Sequence, residues 1–418
     1  MASGDKPSVL IVGGLGYIGR FLALYIHLNE LASEVRVVDK VLPQLAWLAP
    51  EFDEACSGIK FMQADASKEG TQHKAIFLFF IICPTAALVQ YPLYFCVINS
   101  SIANTTLIRI AGLTRIFERA DGKTWDYVFN CGGETRYSQE DEVYRLRSLA
   151  LSVALGKEAA KRGVKVFVEL STGQVYKPDS APSKEDHKLK PWSRIAFFKQ
   201  QAEEELSKIP GLNLIIVRLA NVYGPYASQW VATALCMARV YQHLETEMKW
   251  LWSKDLRTNT VHIDDVTRAL WKVAEWYQQG RPNWDSAKMG TVPIFNIVDK
   301  GATNQGTTAQ IIGDIFQIRT GFQGSIISTF ARLNMDSVVD DVNDEVLGPW
   351  ADLVEAAGIT RPGPLSPFME SELLKDTDLS MDGSRLEEVT GFVYEKPRIN
   401  KQLIEEVIES YKRMNWWP

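Results

Sequence analysis

The chain has 418 residues, 46% of them hydrophobic and 23% charged, with a formal net charge of −6. That balance describes a globular protein with a sizeable core, and the absence of a basic stripe argues against nucleic acid as a partner. Five cysteines (56, 83, 96, 131 and 236) lack CxxC or metal-ligand spacing, so neither a disulfide framework nor a metal site is expected. Only the short polar stretch Met1–Ser8 precedes the first apolar run, and a cytoplasmic location is the expectation. Short apolar runs then predict strands over Ser8–Val12, Glu34–Val38, Ile59–Gln63, Tyr127–Asn130, Val164–Leu170 and Leu214–Leu219, as in a parallel sheet buried on both faces. Helices are expected between them, notably over Arg20–Leu31, Val143–Arg162 and Arg194–Lys208. Beyond about residue 224 the pattern loosens. Trp230–Gln242, Val266–Gln278, Thr307–Thr320 and Asn400–Met414 read as helices and Ile294–Ile297 as a strand, and Pro362, Pro364 and Pro367 break any helix ahead of Leu379.

The first strand runs into Gly13-Gly14-Leu15-Gly16-Tyr17-Ile18-Gly19 and then into a helix, the context in which a glycine motif binds a dinucleotide. Glycines at 13, 16 and 19 allow a tight turn, close approach to a pyrophosphate, and close helix–strand packing. The helix N-terminus adds free N–H groups and partial positive charge. Asp39 ends the second strand about twenty residues on, where a carboxylate holds the adenosine ribose diol. It also repels a 2′-phosphate, so NAD is favoured over NADP. Asp65, just past the third strand, stands where it could meet the adenine edge or simply occupy a turn. The fold class predicted is α/β: a Rossmann-type doubly wound parallel sheet over 1–228, with a smaller C-terminal α/β substrate lobe over 229–418 and interleaved boundaries.

One stretch breaks the pattern. About sixty residues separate Asp65 from Tyr127, where a crossover needs about a dozen or more. Ala75–Ile98 is nearly all apolar and about long enough to cross a bilayer, although Pro84, Gln90 and Pro92 interrupt it. A membrane span here would split a cofactor-binding sheet between two solvents, so membrane association is not expected. A buried insertion or oligomer contact is a second reading. A retained intron is a third: Gly70-Thr71 and Ala111-Gly112 can be encoded by the bounding GT and AG, and excising about 70–112 leaves a crossover of ordinary length. Sequencing the spliced transcript separates the three.

Five further blocks, in order, resemble the extended short-chain dehydrogenase/reductases of the NAD-dependent epimerase/dehydratase type. They are Phe129–Thr135, Leu170–Tyr176, Arg218–Pro225, Arg257–Val266 and Ser384–Phe392. The opening glycine block also matches, with Val12 in place of the usual threonine. The resemblance implies an NAD cofactor, a nucleotide sugar or other hydroxylated or oxo small molecule as substrate, and a homodimer. It implies that Cys131 lies by the cofactor, that Thr172 is the catalytic hydroxyl and that Lys199 holds the nicotinamide ribose. Asn221 and Arg257 fall on the substrate side; Arg257 is either where a guanidinium fork grips a diphosphate or a surface arginine. The opening GGLGYIGRFL is also similar to the 3β-hydroxysteroid dehydrogenase branch.

The resemblance fails at the catalytic pair. The family's Tyr-x-x-x-Lys places both side chains on one helix face, yet four residues before Lys199 stands Ile195, which cannot carry a proton. No tyrosine in the chain has lysine four residues on, and the family's helix-borne asparagine is missing from Val143–Lys161, with Leu149 near its place. Tyr176 and Tyr223 are candidate substitutes or structural residues, Ser193 faces away on an ideal helix, and Cys131 reads as packing. Glu134 reads either as a base or as a structural contact. His262 reads as a core histidine, and Asp264 and Asp265 as strand-end and cap residues. Trp250 and Trp252 either floor a pocket or fill the lobe. The functional alternatives are an NAD-dependent oxidoreductase with a non-standard proton donor, a non-catalytic NAD(H)-binding sensor or scaffold, and a non-redox catalyst in which the cofactor is structural.

Overall fold

The computed structural model describes residues 6–65 and 112–418. The apolar stretch Ala75–Ile98 and the readings attached to it lie outside the described residues. Seven strands form one parallel sheet: β1 (Ser8–Val12), β2 (Glu34–Asp39), β3 (Phe61–Gln63), β4 (Tyr127–Asn130), β5 (Val166–Thr172), β6 (Leu214–Leu219) and β7 (Ile294–Ile297). Their spatial order is β3-β2-β1-β4-β5-β6-β7. The sequence outward from β1 reverses between β1 and β4, which opens a crevice at the carboxyl ends.

Alternation along the strands explains why the runs are apolar throughout. Val9, Ile11, Tyr127, Phe129, Val168, Ile215 and Val217 face one core; Leu10, Val128, Phe167, Leu214 and Ile216 face the other. Each face is covered by helices with matching apolar stripes. The Tyr17–Leu28 helix brings Phe21, Leu22 and Ile26 to the first core beside Val266, Ala269 and Leu270 of the Ile263–Gln278 helix. Residues 112–117, helical, and the Leu151–Arg162 and Arg194–Ser207 helices contribute Ile116, Phe117, Leu151, Leu155 and Leu206 to the second.

Several boundaries differ from the sequence expectation. Gly58–Lys60 is a 3-10 turn, so β3 starts only at Phe61. β5 runs two residues further than expected, which places Thr172 at the strand's end. The expected Val143–Arg162 helix is broken by a π-helical segment, Arg145–Ala150, which follows the short Asp141–Tyr144 helix. Ile294–Ile297 joins the main sheet beside β6 rather than the lobe. The chain therefore returns to the first layer after leaving it.

The lobe contains two small parallel sheets, Asn221–Tyr223 with Thr260–His262 and Met248–Trp250 with Thr320–Phe322. It also holds a helix the sequence reading missed, Met335–Ala356, despite Pro349 in its interior. Val339, Asn343, Val346, Trp350 and Leu353 are buried at helical spacing, and that packing outweighs a proline cost of about 3 kcal/mol. The terminal tryptophans cap the lobe: Trp417 stacks on Tyr411 and meets Trp350 edge-on, while Trp416 packs against Tyr226 and Trp47. Among the described residues no helix is long and apolar enough to cross a membrane.

Candidate functional site

A cleft of about 610 Å³ opens over the ends of β1, β2, β4, β5 and β6. Gly13, Gly16, Tyr17, Ile18, Asp39, Asp65, Cys131, Thr172, Lys199 and Asn221 all line it, and so does Ile195. Residues scattered over two hundred positions are thus gathered into one groove.

At one end lies the glycine turn. Gly13 has φ +71°, and a Cβ there would stand 2.6 Å from Gly132 Cα. Gly14 and Gly19 do not line the groove; they let it close up. A Cβ on Gly19 would strike Gly13 O, and one on Gly14 would strike Val37 Cγ1. The Tyr17–Leu28 helix follows with no side-chain cap and no acidic residue in its first turn. A glycine turn ended by an uncapped helix N-terminus fits a pyrophosphate. Asp39 lies across the end of β2, its carboxylate accepting from Leu15 N and Val41 N at 3.1 Å each. Arg20 braces the same turn, donating to Leu15 O (2.6 Å), Ala46 O (3.0 Å) and Trp47 O (3.1 Å).

The other end is built around β5 and the Arg194–Ser207 helix. Lys199 projects from that helix but turns inward, donating to Leu170 O at 2.7 Å and to Glu169 Oε1 at 3.3 Å. Glu169 is fully buried and also accepts from Asn130 Nδ2 (2.6 Å) and Ser152 Oγ (2.8 Å). Burial pushes the Glu169 carboxyl above its ordinary value, against the pull of Lys199, Asn130 and Ser152. The sequence reading missed this glutamate, although a carboxylate inside an apolar strand was a visible signal. Two further missed residues line the same end, Tyr137 and Gln174. Gln174 Nε2 donates to Tyr137 Oη at 3.2 Å, and Gln174 N donates to Thr172 Oγ1 at 3.2 Å.

None of the other groups named for residue 195 is a free proton carrier for neutral pH. Tyr176 is buried, giving its proton to Asn296 Oδ1 (2.7 Å) and accepting from Arg218 Nη1 (2.8 Å). Tyr223 is buried against the His262 ring and does not line the cleft. Burial pushes the Cys131 thiol up to about 12. Glu134 is held down to about 2: burial opposes ionisation, but hydrogen bonds from Arg136 and Arg147 outweigh it. It is an ionised anchor for two guanidiniums, at 2.9 and 2.7 Å, not a base for neutral pH.

Arg257 is not among the cleft residues. Its guanidinium is held by Asp378 Oδ2 (2.8 Å), Ser180 O (2.7 Å) and Asp179 O, tying the chain after β5 to the lobe. His262 is a core histidine, its pKa lowered to about 3 by burial and by Lys396. Asp265 accepts from Glu395 N and Lys396 N. Trp252 is buried and donates to Leu374 O at 2.6 Å; Trp230, rather than Trp250 or Trp252, lines the cleft. Among the described residues no cluster of His, Cys, Asp or Glu could hold a metal ion.

Residues 9–285 match the NAD dependent epimerase/dehydratase family, and the chain belongs to that family. No curated protein sequence matches it. The fold is shared with solved structures along nearly the whole chain. UDP-glucuronic acid 4-epimerase from Bacillus cereus, in complex with UDP-glucuronic acid and NAD, is 14% identical with a TM-score of 0.58, covering 97% of this chain and 99% of its own. UDP-glucose 4-epimerase from Thermotoga maritima, with UDP-glucose, is 16% identical with a TM-score of 0.57 and the same coverage. The Bordetella bronchiseptica enzyme WbmG, in complex with NAD, is 14% identical with a TM-score of 0.60, covering 100% of this chain and 97% of its own.

Proposed function

We propose that the protein is an NAD-dependent, epimerase-type oxidoreductase acting on a nucleotide sugar or a related hydroxylated or oxo compound, with a non-standard proton donor. The observation that carries this reading is the single cleft joining the glycine turn and Asp39 at one end to Thr172 at the other. Gly13, Gly16 and the main chain of Tyr17 and Ile18 would hold the pyrophosphate, and Asp39 the adenosine ribose, which favours NAD over NADP. The cofactor would take up and return a hydride. Thr172 would bind the reacting oxygen, Lys199 would stiffen the floor beside Cys131, and Asn221 would face the substrate. The solved structures of like fold that hold NAD or UDP-linked sugars support the substrate class. A homodimer is part of the proposal, to be checked by light scattering.

The test is direct incubation of the protein and NAD with UDP-glucose, UDP-galactose and UDP-glucuronate, read by NMR. Interconversion of epimers or an oxidised sugar supports the reading. A second reading, a non-catalytic NAD(H)-binding sensor or scaffold, is favoured by one observation. Ile195 lines the cleft where a proton carrier belongs, while Lys199 is taken up by Glu169 and Leu170. NAD binding without any conversion, with turnover created by Ile195→Tyr, would favour this second reading.

A further inference from the structure

This inference rests on the oxidoreductase reading above. The cleft that lacks a phenol at position 195 holds one from another element, Tyr137, on the loop after β4. A chain of hydrogen bonds fixes where its proton points. The Arg194–Ser207 helix opens on Ser193, whose Oγ accepts from Ala196 N at 3.2 Å. A main-chain N–H can only donate, so the Ser193 hydroxyl turns its own proton to Gln174 Oε1, at 2.6 Å. With its oxygen engaged, the Gln174 amide presents its NH₂ to Tyr137 Oη. The Tyr137 oxygen therefore accepts, and among the described residues nothing receives its proton. Gln174 N treats Thr172 Oγ1 in the same way. Two hydroxyls, held by one buried glutamine, are left with protons to donate into the cleft that Ile195 also lines.

We propose that Tyr137 Oη is the proton carrier for the substrate oxygen, in the place that residue 195 leaves empty of chemistry, with Thr172 donating to the same oxygen. In the reductive direction the substrate carbonyl carbon gains hydride from the reduced nicotinamide dinucleotide. The carbonyl π pair moves to oxygen and takes the phenolic proton. The phenolate left on Tyr137 is stabilised by the Gln174 Nε2–H donor and recovers a proton from water. In the oxidative direction the phenolate takes the substrate's hydroxyl proton. Burial raises the Tyr137 phenol above 10.0, offset in part by Gln174. It is therefore protonated near neutrality, which favours the donating direction and makes the oxidative one climb with pH.

The test compares wild type, Tyr137→Phe and Tyr137→Phe/Ile195→Tyr, using NADH binding, UDP-glucose binding in the presence of NADH, and turnover of UDP-glucose and UDP-galactose. Tyr137→Phe should leave both affinities within about threefold while lowering kcat by about 10²–10⁴-fold. The alkaline limb of its pH profile should vanish, and Ile195→Tyr should restore turnover in that background. Gln174→Leu should move the same limb to higher pH. Tyr137→Phe with wild-type kcat, or loss of UDP-glucose binding in that variant, would overturn the assignment. Wild type that binds NADH and UDP-glucose yet turns over neither sugar would overturn it together with the oxidoreductase reading, in favour of the sensor. Failure to bind NADH at all would instead remove the reading on which it stands.

Discussion

Glu134 and Asp299 are two acidic groups displaced in opposite directions, and each leaves a separate mark on acid stability. Glu134 titrates near 2 in the fold against an ordinary 4.5, so its ionised form is the one the fold prefers. Its contribution is whole above pH 4.5 and is lost as pH falls towards 2. Asp299 is raised by burial to about 6 from 3.8. Its contribution is whole below pH 3.8 and fades as pH rises through about 6. Denaturant melts at several pH values should show a flatter acid limb in Glu134→Gln and a flatter slope between about pH 4 and 6 in Asp299→Asn. Unchanged slopes in both would contradict these displacements. At the cofactor end, Asp39→Ala should weaken NADH binding about tenfold or more, since a charge-assisted hydrogen bond is worth about 1.5–3 kcal/mol. Unaltered affinity would deny Asp39 the ribose. Glycine spacing and Asp39 were legible because each answers a local geometric demand. Glu169 showed only as a carboxylate inside an apolar strand, and Gln174 and Tyr137 not at all, because their meaning depends on partners tens of residues away.

The β1–helix turn and the β5 floor are the two elements on which the site stands. Gly13→Ala forces a left-handed residue to carry a side chain and drives its Cβ to 2.6 Å from Gly132. The expected cost is about 1–3 kcal/mol of stability with loss of NADH binding, read by thermal melts and titration. Beneath β5, the Glu169–Lys199 pair should behave as a unit. Removing either partner alone costs about 3–5 kcal/mol, whereas replacing both with apolar residues costs less. A double variant, Glu169→Leu/Lys199→Leu, no more stable than the worse single one would contradict that coupling. Five of the seven main strands lay within one residue of their predicted ends, because strands buried on both faces are continuous apolar runs. Met335–Ala356 escaped because Pro349 signals a break locally, and only burial of Val346 and Trp350 overrules it.

In the whole molecule, the lobe and the sheet are interleaved rather than consecutive. The chain leaves β6 for the small sheet at Asn221–Tyr223, returns through the Ile263–Gln278 helix to β7, and departs again. The order of motifs foretold a sheet and a lobe; the return of Ile294–Ile297 was hidden because a four-residue apolar run carries no address. That return braces β6, whose end lines the cleft through Leu219. Both ends of the groove are thereby held by one continuous core. Whether that groove binds an adenine dinucleotide is the question that decides the account. Calorimetric titration of NADH into the wild-type protein and into Gly13→Ala answers it most directly. One site per chain is expected, weaker or absent for NADPH, and abolished by Gly13→Ala. No heat with the folded wild type, or equal binding in the variant, would contradict it.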